Sequence, residues 1–424
     1  MNDTNSNWYK LDNVAKVFLA SYTKRNPRSI RVSSILTDPI DATLLQEALD
    51  LTIKLRPQFQ VRIRRGFFWN YLEQTATKPV VSAETSGPCP LLYGERYKGV
   101  LHYQVTYYRN RINIDMSHAI SDGTGALSLL KLLTLNYLKL KYPGKFDESS
   151  IPDDACADDR SRNSYDQFYD NKGFTIIPKT ILNKKPRAFQ IQSRRLPYNQ
   201  LQYIEVHTNA DVLLKRSKEL NVSLTSYLGA ELMFAIHADM PLRQSKHPIT
   251  ISIPVNLRNY YPSDTLRNFF NNIDISHKFD GSESIETLAS EFEEKLRANL
   301  EPEVIKKQMN RYQNIEQLFL ARMVPLFFKQ PIVKMFSKKE SRTVTAILSN
   351  LGKIDMPEET TEYIKGFTDF CSTDNLFITI TTYKNDMVLG IASSYSGTGM
   401  IRRMLSSFEK SGCDITLYAT EIIH

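Results

Sequence analysis

The sequence predicts a chain of mixed α/β class, built as two halves that each combine a largely antiparallel sheet with flanking helices. Three observations carry this reading. Short β-rich segments joined by tight turns recur along all 424 residues. Apolar stripes of helical length separate them. The same style of alternation stands on both sides of a charged, proline-bearing stretch at 145–200. That stretch divides the chain into an N-terminal half, 1–165, and a C-terminal half, 166–424, the latter including the linker.

In the first half, 28–36 (RSIRVSSIL) predicts a strand, and Asp41 is placed to cap a helix over DATLLQEALDLTIKL, ended by Pro57. Segments 59–64 and 67–73 alternate around Arg65-Gly66 as a hairpin. A second hairpin joins 100–108 to 111–117 near Asn110. On its second strand Ile112, Ile114 and Met116 share a face, and His118 continues that phase. A leucine-rich helix over about 125–141 stops at Tyr142-Pro143-Gly144. In the second half, 202–208 predicts a strand, a helix follows from Asp211, and Ser223 or Thr225 opens another. Further strands are predicted at 249–255, 343–349, 376–382 and 387–394, the last two joined by a tight turn at 384–386. A helix over 399–410 and a strand over 414–419 close the chain.

Composition narrows the function classes. Hydrophobic residues make up 42% and charged residues 24%, which is globular and not disordered. The net charge of +8 is spread over small clusters at 62–65, 184–187 and 334–339, so nucleic-acid binding is not expected. Attraction for anionic small molecules, phosphates included, is the milder reading. Cys89, Cys156, Cys371 and Cys413 form no CxxC pair and read as free thiols, with no metal site. The N-terminal segment lacks an apolar core and no stretch is long enough to span a membrane, so a soluble cytoplasmic chain is expected. There is no GxGxxG and no Walker loop.

The informative segment is MSHAISDGTGA, 116–126. It sets His118 at a strand end, Asp122 four residues on, and Gly123 at a helix entry. With seven histidines, ordinary residue usage gives roughly 0.01 chance matches to this pattern. A neutral histidine is a general base near pH 7, and the positive end of the following helix helps keep it neutral. Asp122 is placed to brace the loop, and Gly123 to permit a tight turn.

The segment resembles the HxxxDG signature of the CoA-dependent acyltransferase superfamily. Its members include chloramphenicol acetyltransferase, the condensation domains of peptide synthetases, plant BAHD acyltransferases and microbial alcohol acetyltransferases. Condensation domains usually carry a second histidine just before the first; here Ser117 stands there, which leans toward the alcohol acetyltransferase branch. IPVNLRNYYP (253–262) resembles the segment whose arginine pairs with the motif's aspartate, which implies that role for Arg258, with Asn256 bracing its loop. TAILSNLG (345–352) resembles the strand lining the catalytic channel, which places Ser349 near the reacting oxygen and Asn350 as a bracing residue. The plant branch's DFGWG motif is absent, and nothing near Gly366–Phe370 replaces it. The resemblance implies two chloramphenicol-acetyltransferase-like halves around a central tunnel. It implies acyl transfer, acetyl in particular, from acyl-CoA to an alcohol or amine, with no tightly bound cofactor. Two other readings keep the fold: a condensation-type enzyme with a carrier-protein-bound donor, and a catalytically silent scaffold. A monomer is expected. Segment 321–339 mixes apolar residues with Lys and Arg; it reads as a buried channel-lining segment, with weak membrane contact as the alternative, and Pro325 and Pro331 argue against one long helix.

Overall fold

The computed structural model describes residues 8–94, 100–146, 161, 163–169, 185–197, 200–317 and 324–420, with side chains described throughout except at 311–317. Most of the linker at 145–200 lies outside the described residues, as does Cys156. The other three cysteines are buried free thiols.

The first half contains β1 (Trp8–Lys10), α1 (Asn13–Ser21), β2 (Ser29–Leu36), α2 (Ala42–Leu55), β3 (Val61–Arg65), β4 (Asn70–Gln74), β5 (Val81–Ala83), β6 (Tyr103–Tyr108), β7 (Arg111–Ser117) and α3 (Gly123–Lys141). Asp41 caps α2 by accepting from the backbone N–H of Thr43 and Leu44. Ile112, Ile114 and Met116 point into the core on β7 and are fully buried. Helices α2 and α3 pack on that face, their leucines closing one apolar cluster.

The second half contains α4 (Ser164–Gln167), β8 (Gln202–Asn209), α5 (Ala210–Glu219), α6 (Leu224–His237), β9 (Ile249–Asn256), β10 (Phe270–His277), α7 (Ile285–Leu300), α8 (Pro302–Gln317), α9 (Leu326–Glu340), β11 (Ala346–Lys353), β12 (Ile364–Cys371), β13 (Leu376–Tyr383), β14 (Asp386–Ser393), α10 (Gly399–Lys410) and β15 (Ile415–Ala419). A seven-stranded sheet runs β10-β9-β11-β13-β14-β8-β15, antiparallel except that β11 is parallel to both β9 and β13. Helices α6, α7 and α10 cover it over a second apolar cluster.

One strand joins the halves. β12 completes the five-stranded sheet β12-β2-β7-β6-β5 by pairing antiparallel with β2 from Ile364 to Cys371. Its backbone also lies against the larger sheet. Thr381 Oγ1 donates to Phe367 O at 3.0 Å, and a side chain at Gly390 would collide with Asp369 O. A small sheet, β1-β4-β3, sits at the edge of the first half.

The structure corrects several sequence expectations. The strand expected at 343–349 begins at Ala346 and runs to Lys353, because a short 3-10 turn occupies 341–343. Segment 326–340 is one helix with Pro331 inside it. Its apolar side chains do not form a buried channel wall, since Phe327, Met335 and Phe336 are largely exposed, while its C-terminal end lines a cavity at Ser337 and Glu340. At the turn between β3 and β4, Phe67 and Trp69 reach the surface, whereas Phe269, just before β10, is core.

Candidate active site

Strand β7 delivers His118 one residue past its end. The His118 N–H donates to Arg28 O at 2.8 Å, which ties the residue to the chain entering β2. Its ring lies between two aromatic neighbours, Phe18 of α1 at 4.7 Å and Phe270 of β10 at 6.1 Å between centroids. His118 lines a cavity of about 440 Å3 between the halves, together with Asp122, Gly123, Asn256, Ser349 and Asn350.

The polar partners of the ring fix its proton. Nδ1 lies 3.4 Å from Asn268 Oδ1. Asn268 directs its amide nitrogen elsewhere, donating to Asp12 Oδ2 at 3.1 Å and to His118 O at 2.9 Å. Its oxygen is therefore the atom facing the imidazole, so Nδ1 carries the hydrogen and Nε2 the lone pair. Burial pushes the imidazole down to about 4, and nearby Arg28 adds to that; Asp122, Asn268 and the Ser121 backbone oppose it. The ring is thus neutral at pH 7.

Asp122 points away from the imidazole and into a cage of donors. It caps α3, Oδ1 accepting from Gly125 N–H at 2.9 Å. Arg258 reaches it in a two-pronged pair, Nη1 to Oδ2 at 2.9 Å and Nη2 to Oδ1 at 3.3 Å. The Phe269 N–H donates to Oδ2 at 2.9 Å. Arg258 is held in turn by Thr265 O, Arg267 O and Asn256 Oδ1. Asn256 braces both this arginine and, through Nδ2, Thr124 at the start of α3. The structure therefore brings together His118, Asp122, Arg258 and Asn256 across the two halves.

Gly123 serves differently from the expected tight turn. Its φ is not positive; a Cβ there would sit 3.2 Å from Leu351 Cδ2, so the missing side chain spares space in the cavity. The stricter glycine is Gly125, where a Cβ would fall 2.2 Å from Leu266 O. Ser349 faces the cavity from β11. Asn350 holds a bulge: its Oδ1 accepts from Gly352 N–H at 2.8 Å and its Nδ2 donates to Thr225 at 3.1 Å.

Sequence reasoning missed Asn268, Asp12, Phe18 and Asp369. Asp369 lines the cavity from β12, with Oδ1 buried and unpartnered, and burial pushes its carboxyl up to about 7. Asp12 caps α1, and burial pushes it up to about 6. A capping aspartate before a helix is legible in sequence; its contact with Asn268 is not.

No protein-family model and no curated protein matches this chain. Solved structures do. Polyketide synthase associated protein 5 from Mycobacterium tuberculosis is 14% identical, covering 94% of this chain and 96% of its own, with a TM-score of 0.63. The chain has the two-lobed fold of the CoA-dependent acyltransferases and condensation domains. The first condensation domain of the calcium-dependent antibiotic synthetase is 13% identical, covering 96% of each chain, at a TM-score of 0.59. The F. sporotrichioides TRI101 protein, solved with coenzyme A and T-2, is 11% identical, covering 96% of this chain and 98% of its own, at 0.59. Within this fold His118 lies at the seam of the two lobes, where the 440 Å3 cavity opens.

Proposed function

We propose that the chain is an acyltransferase that moves an acyl group, acetyl in its simplest form, from acyl-CoA to the hydroxyl or amine of a small acceptor. The observation that carries this reading is the neutral His118 ring, its Nδ1–H turned to Asn268, on the wall of a cavity shared by both halves. The likeness to a protein solved with coenzyme A supports the choice of donor. The halves 1–165 and 166–424 are proposed as the two walls of the channel.

In this reading Nε2 of His118 takes the acceptor's proton as the acceptor oxygen attacks the thioester carbonyl. The carbon–oxygen bond forms, and the carbonyl oxygen becomes an oxyanion that the Ser349 hydroxyl is placed to stabilise. Collapse breaks the carbon–sulfur bond, and the departing thiolate takes the proton back from His118. The acceptor is itself the nucleophile, so no acyl-enzyme forms and the kinetics follow a ternary complex. Asp122 and Arg258 position the loop and touch no reacting atom.

The test is thiol release from a panel of acyl-CoAs, with and without candidate alcohols and amines. Acceptor-dependent release that falls about a hundred- to ten-thousand-fold in His118→Ala is expected. Transfer only from a carrier-protein thioester would assign the condensation-type reading instead. No transfer from either donor would leave a scaffold.

A further inference from the structure

Helix α9 turns an apolar stripe to solvent. Phe328, Ile332 and Met335 recur at i, i+4 and i+7 and so share one face; they are 59%, 50% and 64% exposed. Phe336 widens the stripe. The opposite side, with Leu326 buried and Val333 and Ser337 half-buried, packs toward α1.

A second apolar segment is joined to it. The tip of the β3–β4 hairpin carries Phe67, Phe68 and Trp69. Leu326 N–H donates to Phe67 O at 2.9 Å, and Lys329 Nζ donates to Phe68 O at 3.1 Å. Phe67 is 72% exposed. Helix and tip, tied together by these bonds, each expose large apolar side chains of a kind that monomers seldom leave uncovered in number.

Charge selects what covers it. Helix α9 carries Lys329, Lys334, Lys338 and Lys339 against Glu340 alone, and the hairpin carries three arginines against one glutamate. A second copy docked about a two-fold axis would set these cations against their equivalents, an arrangement that repels. Aromatic residues on one face with lysines beside them suit an anionic lipid surface, where rings enter the headgroup region and ammonium groups meet phosphates.

We propose that α9 and the β3–β4 tip form a docking surface for an anionic lipid bilayer. Ser337 and Glu340, at the end of the same helix, line the cavity that holds His118. Docking therefore sets that cavity just behind the membrane-facing helix. The consequence that an acceptor arrives from the bilayer rests on the acyl-transfer reading; the docking itself does not.

The test is co-flotation with vesicles of phosphatidylcholine mixed with phosphatidylglycerol, beside vesicles of phosphatidylcholine alone. Trp8 and Trp69 are the chain's two tryptophans; Trp69 is in the tip and Trp8 in β1 of the small sheet that carries it, so their emission reads the contact. Binding with a blue shift is expected on mixed vesicles, weakened about tenfold or more on neutral ones and in high salt. Phe328→Ser with Ile332→Ser, and separately Lys334→Glu with Lys338→Glu, should each lower binding about tenfold or more with an unchanged circular dichroism spectrum. His118→Ala should bind as the native chain does, which keeps this test apart from the fate of the catalytic reading. No binding to mixed vesicles, equal binding to neutral ones, or a dimer in solution that the Phe328→Ser/Ile332→Ser variant abolishes would overturn the proposal.

Discussion

Removing Arg258 tests the clamp beneath the His118 loop. The Asp122 carboxylate accepts from two backbone N–H groups and from both prongs of the guanidinium, and it is 5% exposed. Arg258→Ala leaves a buried carboxylate with only its backbone donors, and leaves Thr265 O and Arg267 O without the arginine's N–H groups. Breaking a buried pair from one side costs about 3–5 kcal/mol. Asp122→Ala costs a similar amount, to which loss of the α3 cap adds about 1 kcal/mol. In the double variant neither charge is stranded, so its loss should fall short of the summed single losses by about 1–3 kcal/mol. Urea unfolding of the four chains at pH 7 measures all of this in one series. Single variants within about 1 kcal/mol of the native chain, or losses that simply add, would refute the clamp.

Other outcomes follow from the same site. Because burial holds His118 down to about 4, kcat/KM for acyl transfer should stay level from pH 8 to about pH 5 and fall only below that; an acid limb centred at 6.5 or above contradicts the neutral buried ring. The same depressed value contributes stability that is present above 6.5 and lost as pH falls toward 4, so His118→Phe should flatten that part of the unfolding profile. Asn268→Ala should lower kcat about ten- to a hundredfold with little change in KM, since it frees the ring to turn and change tautomer; a pure KM effect would count against a positioning role. Asp369 has the opposite sign: its raised carboxyl favours the folded state at low pH and loses that contribution as pH rises through about 7, so Asp369→Asn should raise the urea midpoint at pH 8 more than at pH 5.

Local patterns were legible in the sequence and distant pairings were not. His118, Asp122 and Gly123 lie within six residues, so their spacing alone marks a strand end, a cap and a helix entry. Strands such as 249–256 announce themselves by their density of β-branched residues, Ile249, Thr250, Ile251, Ile253 and Val255. β12 does not: IKGFTDFC carries Lys, Gly, Thr and Asp, yet it is buried on both sides because it is wedged between two sheets. β10 hides for another reason: it is an edge strand whose alternation is broken by Asn271, Asn272 and Asp274. Helix α9 defeats the rule that an internal proline breaks a helix, because Pro331 sits on its exposed side only five residues after the helix begins. Asn268 is 150 residues from His118 and belongs to no local pattern, so only the fold brings it to the ring.

In the acyl-transfer proposal, the joint between the halves bears on how substrates would reach the histidine. Besides the Arg28 carbonyl before β2, the groups that orient His118 from outside its strand and loop are Asp12 and Phe18 from the N-terminal turn and α1, and Asn268, Phe270 and Arg258 from the second half. Opening the halves as rigid jaws would pull Asn268 from Nδ1 and Arg258 from Asp122 together, stranding a buried charge. β12 resists that motion directly. It is hydrogen-bonded to β2 along its length, and threonine hydroxyls of β13 hold its carbonyls against the other sheet. A hinge would have to break one of those two interfaces for each substrate that enters. Access without that loss runs along the cleft, past the end of α9 and the loops at 372–375, where side chains can move while the strand exchange and the clamp stay intact. The two halves then act as one fixed frame, and the moving parts are confined to its mouths.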